Sequence, residues 1–363
     1  MSILFAPITV GPLTLRNRFM RSATAEFLAD PVTGAPAPKL REMYRALAEG
    51  GVGLIVTGHA CVEYSGRTND HMTAIASDAL IPAWTQTIQP AQAAGAKVMI
   101  QINHGGSNVD QATTPDPISP SGVATTNTAN PRAMTHDEIL RVIESFGQAA
   151  RRAREAGFDG VQIHGAHGYL VSQFLTPYTN QRDDEWGPSA EDGRHAFLRA
   201  VAASVRRQVG DDYPVWIKLG VAGKAYSGLT AELGAQAARV CTEIGIDCIE
   251  ISHGLYIPEG LEAPREARYL PLAEAVRLEV GPDFPLALVS WIRSREVMEE
   301  LVDSGVVDII SLCRPFIAEP NLVRRLEQGE TDAVACVSCD QCRPREEGEG
   351  VACHNERVRE KLA

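Results

Sequence analysis

The feature that most constrains the fold is a series of eight strand–helix units along 363 residues. Short apolar runs alternate with longer segments of helical periodicity, and several runs are apolar nearly throughout, as strands covered on both faces are. Such a series predicts a closed parallel (β/α)8 TIM barrel of the α/β class, with a short cysteine-rich C-terminal extension. The predicted strands are 17–23, 53–60, 97–104, 160–165, 214–220, 248–254, 285–292 and 307–314.

An open doubly wound sheet is the alternative arrangement of these units. That fold normally carries a G-x-G-x-x-G phosphate turn after an early strand, and the sequence has none there. The clearest predicted helix spans 135–157, where Thr135 and Glu138 form a capping-box pattern and Gly157 ends the helix. In a barrel, active-site residues lie at the C-terminal strand ends.

Two long segments interrupt the alternation. Residues 105–134 are polar and proline-rich and follow the third strand, which predicts a lid, since loops of this length are usually functional or disordered. Residues 255–267 follow the sixth strand and predict a second wall of the same mouth. The predicted domain boundary lies near 330, with the barrel over 1–330 and the cysteine-rich segment over 331–363.

The charge of the chain limits its partners. The net charge of −12 at pH 7 disfavours nucleic acid and anionic membranes. No apolar run approaches the roughly 20 residues that span a bilayer. Residues 1–19 lack a basic region followed by an apolar one, which a secretory signal would show. We therefore expect a soluble, cytoplasmic protein that acts on small molecules.

Polar side chains stand at the C-terminal ends of the predicted strands. A ring of them sharing one mouth indicates a ligand, because burying so much hydrogen-bonding capacity without one is costly. A single histidine at a strand end is more often structural, and we interpret His59, His104 and His253 in that way. The whole set is Thr24, His59, Gln101, His104, His164, His167, Tyr169, Lys218, His253 and Arg314.

His164 and His167 differ from the other histidines because they are only three residues apart. On a regular strand such residues face opposite sides. They converge only if the strand ends and the backbone turns between them, which Gly165 and Gly168 permit. The same turn aims Tyr169 into the mouth.

The segment `IHGAHGYLVSQFLTPYTNQRDDEWG` resembles the fourth-strand signature of the old yellow enzyme family, which comprises FMN-containing NADH:flavin oxidoreductases and ene-reductases. The resemblance extends through `FAPITVGPLTLRNRFMRSAT`, `QINHGG` and `GVVDIISLCRPFIAEPNL`. It implies FMN as cofactor and NAD(P)H as hydride donor. The implied reaction is reduction of an activated C=C bond in a ping-pong cycle, with hydride passing through flavin N5.

The resemblance also implies roles for individual residues. His164 and His167 would hydrogen-bond the electron-withdrawing group of the substrate, and Tyr169 would protonate the α-carbon from the opposite face. Lys218 stands where relatives usually carry an arginine near flavin N1. The implied FMN contacts are Ser22, Ala23, Thr24, Ala60, Gln101, His164, Lys218, Ser290, Trp291, Cys313 and Arg314.

Two positions depart from the family pattern. Ser290-Trp291 replaces a Gly-Gly pair whose backbone N–H groups approach the flavin phosphate, so Trp291 must point away or reshape that site. Glu26 stands near the place where many ene-reductases carry a tyrosine that lines the substrate pocket. For this reason the family's substrates are not carried over.

Cys336, Cys339, Cys342 and Cys353 crowd the last 30 residues with the spacing C-x2-C-x2-C-x10-C. In a cytosolic chain such clustering suggests metal before disulfide. The spacing suits a [4Fe–4S] cluster or Zn²⁺, and a metal-free remnant is the third alternative. The segment resembles the cluster-binding segment of trimethylamine dehydrogenase and dienoyl-CoA reductase, which favours the cluster.

Four functions stay open from the sequence. The leading one is an FMN-dependent NAD(P)H oxidoreductase of the ene-reductase type. An FMN/[4Fe–4S] amine dehydrogenase or demethylase would instead pass electrons to an external protein. Lys218 could form a Schiff base in an aldolase barrel, and the tail cysteines could serve a non-enzymatic redox sensor. The resemblance alone implies a homo-oligomer.

Overall fold

The computed structural model describes residues 2–125, 130–346 and 348–362. Its centre is a closed barrel of parallel strands, in which each barrel strand pairs with the next one along the chain and the last pairs with the first, so the predicted (β/α)8 barrel is confirmed. The strands are β1 (Ile8–Val10), β2 (Leu13–Leu15), β3 (Phe19–Arg21), β4 (Leu54–Cys61), β5 (Lys97–Asn103), β6 (Ile118–Ser119), β7 (Arg132–Ala133), β8 (Gly160–Gly165), β9 (Val215–Ala222), β10 (Cys248–His253), β11 (Leu286–Val289) and β12 (Ile309–Leu312).

Helices cover the outside of the barrel and bury their apolar faces against it. The capping box predicted for α3 is present, and Gly157 ends the helix in the left-handed conformation at φ 88°. The helices are α1 (Pro38–Glu49), α2 (Ile81–Ala93), α3 (His136–Ala156), α4 (Leu170–Leu175), α5 (Gly193–Val209), α6 (Ala231–Glu243), α7 (Leu270–Val280), α8 (Arg295–Asp303), α9 (Arg314–Ala318), α10 (Leu322–Glu327) and α11 (Glu356–Leu362).

The N-terminal end of the barrel is closed by the antiparallel hairpin β1–β2. Val10, Leu13 and Leu15 of the hairpin pack in one buried cluster with Met20 and Trp216 from the barrel interior. The barrel is therefore filled with apolar side chains at this end. Its polar side chains are concentrated at the opposite end, where the barrel strands end.

Strand β4 carries an irregularity that matters for the site. Its register against β5 shifts between Val56 and His59, which sets His59 opposite Gln101. Gly58 lies in this bulge, and a Cβ there would come within 2.6 Å of the Thr24 carbonyl oxygen. The bulge re-aims the end of β4 toward the mouth of the barrel.

The C-terminal segment is tied to the barrel by backbone hydrogen bonds. The Val334 N–H donates to the Arg293 carbonyl at 2.9 Å, and the Val351 N–H donates to the Glu26 carbonyl at 3.2 Å. Val334 and Cys336 are buried. The division of the chain near residue 330 remains a prediction. Within the described part of the chain, no helix has the length and apolar character needed to cross a membrane.

Candidate active site

The carboxyl ends of all eight barrel strands open onto one cavity of about 460 Å³. This volume is within the roughly 300–1,000 Å³ of small-molecule and cofactor sites. Of the predicted catalytic and FMN-binding residues, all of which the structure describes, only Ala60 does not line it; Ala60 is fully buried in β4. The lining is Ser22, Ala23, Thr24, Ala25, His59, Gln101, His164, His167, Tyr169, Lys218, Ser252, His253, Arg268, Tyr269, Val289, Ser290, Trp291, Cys313, Arg314 and Asp340.

The turn after β8 brings His164, His167 and Tyr169 together. The ring centroids of His164 and His167 are 5.1 Å apart, and those of His164 and Tyr169 are 4.7 Å apart. The chain turns through His167 (φ 60°) and Gly168 (φ 70°), rather than through Gly165. Histidine tolerates this left-handed conformation better than most residues do. The convergence expected from the sequence is present, with the turn placed two residues later.

Both histidines of this turn are neutral imidazoles. Burial, and after it the charge of His59, holds the pKa of His164 well below its ordinary value; burial and then His253 do the same to the pKa of His167. The His164 Nδ1 accepts a hydrogen bond from the Ala166 N–H at 3.3 Å, so its proton is on Nε2. His164 can therefore donate one hydrogen bond to a ligand.

Tyr169 is a protonated phenol over the whole physiological range. Burial raises the pKa of its hydroxyl to about 12. Its ring lies 5.1 Å from that of His59, measured between centroids. A phenol held next to neutral imidazoles can supply a proton to a ligand at neutral pH.

His59 and His253, which the sequence led us to interpret as structural, line the same cavity. Burial first, followed for His59 by the charge of Lys218, lowers the pKa of each to about 4. His104, by contrast, is fully buried away from the cavity, with its Nε2 3.4 Å from Glu63 Oε1. The β4 bulge explains the position of His59, and no pattern in the sequence predicts this bulge.

A buried polar network lies behind the cavity wall. Lys218 Nζ is 2.8 Å from Ser22 Oγ and 3.3 Å from Glu250 Oε1. Gln101 Nε2 donates to Gln162 Oε1 at 2.7 Å. Gln162 and Glu250 were not predicted from the sequence. The signal for Glu250 was available, because it is the one charged residue within the otherwise apolar run `CIEI`.

The opposite end of the cavity is cationic. Arg268 and Arg314 each place a guanidinium carbon 5.5 Å from the centroid of the Trp291 ring. Trp291 keeps a left-handed backbone at φ 50°, the conformation that a glycine would adopt without strain. Arg314 pairs with the carboxylate of Asp340 from the C-terminal segment. Arg268 and Asp340 were not predicted.

Glu26 points away from the large cavity. It is buried, and its Oε1 is 2.9 Å from Arg21 Nη2 and 2.8 Å from the Tyr44 hydroxyl. The residue that departs from the family's tyrosine therefore forms an internal ion pair. Its carboxylate is not available to a ligand above the barrel.

The predicted lid and second wall lie beside this cavity. None of the described residues of 105–134 or 255–267 lines it, and the wall after β10 is formed instead by Arg268 and Tyr269. Residues 126–129 of the predicted lid fall outside the described residues. Asn108 Nδ2 donates to the His167 carbonyl at 3.2 Å, so the loop contacts the turn that carries His167.

The structure does not show the metal site predicted for the tail. All eight cysteines are in the described part of the chain, and none forms a disulfide. Over residues 2–125, 130–346 and 348–362, no group of three or more His, Cys, Asp or Glu side chains is arranged to hold a metal ion. Burial, and after it the charges of Cys336 and Cys353, raises the pKa of Cys342 to about 12.

The cavity suits an elongated cofactor with a polar ring edge and an anionic end. Gln101 and Lys218 supply hydrogen-bonding groups at one end, and Arg268 and Arg314 supply positive charge at the other. Neutral imidazoles and a phenol stand along one side. These features are typical of a barrel that binds a cofactor at its mouth.

Sequence comparison identifies the family. The model of the NADH:flavin oxidoreductase / NADH oxidase family matches residues 3–333, and the chain belongs to this family, the old yellow enzyme family. Membership of this family implies FMN as the cofactor and NAD(P)H as the reductant. This membership leaves the aldolase and sensor alternatives without support.

Three relatives illustrate the range of the family. The chain is 34% identical to an NADPH dehydrogenase of Halalkalibacterium halodurans, covering 90% of this chain and 95% of that one. It is 32% identical to an NADH oxidase of Thermoanaerobacter brockii (93% and 52%) and 30% identical to an N,N-dimethylglycine/sarcosine dehydrogenase of Chromohalobacter salexigens (96% and 52%). The chain thus spans about half the length of the last two proteins.

The solved structures also include both a protein that this chain covers almost completely and a longer protein that it covers only in part. A 2-naphthoyl-CoA reductase complex matches with a TM-score of 0.89 and 26% identity, over 99% of this chain and 58% of that chain. An old yellow enzyme homologue from Zymomonas mobilis matches with a TM-score of 0.78 and 27% identity, over 92% and 95%. The higher coverage by the first structure shows that its fold extends into the region of the cysteine tail.

Proposed function

We propose that this protein reduces an activated C=C bond with hydride from NAD(P)H, as an ene-reductase. The observation that carries the proposal is the convergence of neutral His164, neutral His167 and protonated Tyr169 on one cavity. Two hydrogen-bond donors and one proton donor are the groups that such a reduction requires from the protein. FMN held in this cavity would supply the chemistry of hydride transfer from NAD(P)H to the β-carbon of the alkene.

His164 and His167 hold the activating carbonyl of the substrate in this proposal. The Nε2–H of His164 is free of the backbone contact that occupies Nδ1. The Nε2 of His167 is 2.8 Å from Ser252 Oγ, so this hydroxyl must rotate or share the ring nitrogen when a substrate binds. Hydrogen bonds that strengthen as charge develops on the carbonyl oxygen lower the barrier.

Tyr169 donates the proton to the α-carbon. Its raised pKa keeps the proton in place until charge develops on the substrate. The proposed FMN contacts are the cavity residues predicted from the sequence, with Gln101 and Lys218 at the ring edge and Ser290, Trp291 and Arg314 at the phosphate. Ala60 contributes a backbone contact from β4.

An amine dehydrogenase or demethylase is the second candidate. The similarity to the N,N-dimethylglycine/sarcosine dehydrogenase covers 96% of this chain and favours it. A secondary amine, or a protonated tertiary amine, would need an acceptor for its N–H or a counter-charge in the cavity. The neutral donors at His164 and Tyr169 suit a carbonyl better, which places this candidate second.

For the tail we propose a [4Fe–4S] cluster, with Zn²⁺ as the alternative. The spacing of Cys336, Cys339, Cys342 and Cys353 supports this proposal. No step of the proposed reaction runs through the tail. A homo-oligomer and an external electron-transfer protein belong to this proposal as partners.

Anaerobic mixing of the purified holoprotein separates the candidates. We expect NADH or NADPH to bleach the flavin absorption, and 2-cyclohexenone to restore it. N,N-dimethylglycine and trimethylamine should leave the oxidised flavin unchanged. Bleaching by an amine, together with no reoxidation by the enone, would contradict the proposal. Iron and zinc analysis of the same sample tests the tail, and a metal-free preparation would contradict the cluster.

A further inference from the structure

We propose that Glu250 is a positioning residue that sets the direction of the Gln101 amide through Gln162. Glu250 thereby determines which atoms the barrel presents to the ring edge of the flavin. This inference rests on the proposed contact between Gln101 and FMN. It concerns a residue on β10 whose side chain faces the interior of the barrel and does not line the cavity.

Glu250 is fully buried, and each of its carboxylate oxygens has a defined partner. Its Oε1 accepts hydrogen bonds from Ser22 Oγ at 2.6 Å and Ser311 Oγ at 2.8 Å, and lies 3.3 Å from Lys218 Nζ. Its Oε2 accepts from Gln162 Nε2 at 3.0 Å. A buried carboxylate with this many donors is held in one orientation.

The hydrogen bonds that run from Glu250 through Gln162 to Gln101 form a relay. The direction of this relay follows from the chemistry of the carboxylate. An ionised carboxylate only accepts hydrogen bonds, so Gln162 must turn its NH₂ group toward Glu250. The Gln162 carbonyl oxygen then faces Gln101 and accepts from Gln101 Nε2 at 2.7 Å. The carbonyl oxygen of Gln101 is left for the cavity, together with the second hydrogen of its NH₂ group.

The acceptor and the donor that Gln101 leaves for the cavity match the hydrogen-bonding groups at the ring edge of a flavin. The pyrimidine edge alternates the C2 carbonyl, the N3–H and the C4 carbonyl, so it needs a donor next to an acceptor. Gln101 in the observed direction offers its oxygen to the N3–H and its remaining N–H to a neighbouring carbonyl. Reversal of the amide would bring donor against donor in a buried site, where an unpaired group costs about 1–3 kcal/mol.

Lys218 explains why a carboxylate, rather than an amide, stands at position 250. A buried ammonium requires a counter-charge, and Glu250 Oε1 is 3.3 Å from Lys218 Nζ. The same side chain therefore compensates the cation at the ring edge and directs the two glutamines. One carboxylate links the two groups of the cavity that we assign to the ring edge.

The substitution Glu250→Gln tests the relay. The oxygen of the introduced amide will face Lys218, because the ammonium repels an NH₂ group, and its NH₂ group will then face Gln162. Gln162 must reverse to accept from it, and Gln101 must reverse in turn. FMN release is measured from the free flavin fluorescence of diluted holoprotein. We expect FMN to dissociate at about tenfold to a hundredfold higher protein concentration.

The double exchange Glu250→Gln with Gln162→Glu should restore binding. A carboxylate at position 162 accepts from both the amide at 250 and Gln101 Nε2, which returns Gln101 to its original direction. Recovery to within about threefold of the original FMN affinity is expected, with the flavin absorption spectrum restored. As the matched control, Glu319→Gln neutralises another buried, ion-paired carboxylate away from the cavity, and FMN affinity should not change.

Unchanged FMN affinity in Glu250→Gln would overturn the proposal, and so would a loss that the double exchange does not recover. Gln162→Met provides a second arm if Glu250→Gln does not fold. It interrupts the relay without touching Lys218, and an FMN affinity that stays the same in it would also overturn the proposal. These outcomes do not depend on the substrate, so they are distinguishable from a failure of the proposed ene-reduction.

Discussion

The four cavity histidines should make the stability of the protein strongly dependent on pH below neutrality. His59, His164, His167 and His253 are held neutral in the fold, whereas in the unfolded chain each titrates near 6.5. A group whose pKa is lowered by folding stabilises the fold fully above its unfolded pKa. That contribution is lost as the pH falls toward the folded value, which is about 4 for His59 and His253.

The size of this effect follows from linkage. Between pH 7.5 and 5.5 an unfolded histidine takes up most of one proton that the folded one does not. One pKa unit corresponds to about 1.4 kcal/mol, so each histidine lowers the free energy of unfolding by about 1.3 kcal/mol over this interval. The four together lower it by about 5 kcal/mol, which is a large part of the stability of a typical domain.

The assay is urea unfolding of the holoprotein at both pH values, in the original protein and in His59→Gln. The substitution keeps a side chain that can accept from Asn103 Nδ2, now 2.9 Å from His59 Nδ1, but does not titrate. We expect the pH-dependent loss of stability to be smaller in the variant by about 1.3 kcal/mol. Parallel losses in the two proteins would refute the assignment of His59 as a neutral buried imidazole.

Two further predictions concern the cationic end of the cavity. At Trp291, whose φ is 50°, Trp291→Gly should be more stable than Trp291→Ala by about 1 kcal/mol in urea unfolding, because only glycine adopts this conformation without strain; equal stabilities would contradict the strain. Asp340→Asn should tighten FMN binding up to about fivefold, because the flavin phosphate no longer competes with a carboxylate for Arg314. Riboflavin, which lacks the phosphate, should bind equally to both proteins, and an equal gain for riboflavin would contradict this reading.

Much of the fold could be predicted because it follows from the local periodicity of apolar residues. Apolar runs and helical repeats depend on neighbouring residues, so the eight barrel strands were placed to within a few residues of their bounds in β3–β5 and β8–β12. The convergence of His164 and His167 was also accessible, since glycines next to a strand end permit a turn. The turn itself runs through His167, which no sequence rule specifies.

The rest of the site depends on register and on long-range contacts. His59 reaches the cavity through a bulge in β4, which is defined only by its pairing with β5. Glu250 joins partners on β8, β9 and β12 and one beside β3, a set assembled only when the barrel closes. Asp340 forms its ion pair with Arg314 only when the C-terminal segment packs against the barrel. In each of these interactions, the partners are far apart in the sequence.

Stopped-flow measurement of the two half-reactions in Tyr169→Phe tests the central claim most directly. Flavin reduction by NADPH should stay within about twofold of the original rate, because the phenol takes no part in it. Reoxidation by 2-cyclohexenone should slow by at least about a hundredfold, the usual contribution of a positioned proton donor. Tyr269→Phe, the same change at the other tyrosine of the cavity, serves as the control and should leave both rates close to the original. An enone-dependent rate in Tyr169→Phe equal to that of the original protein would contradict the account.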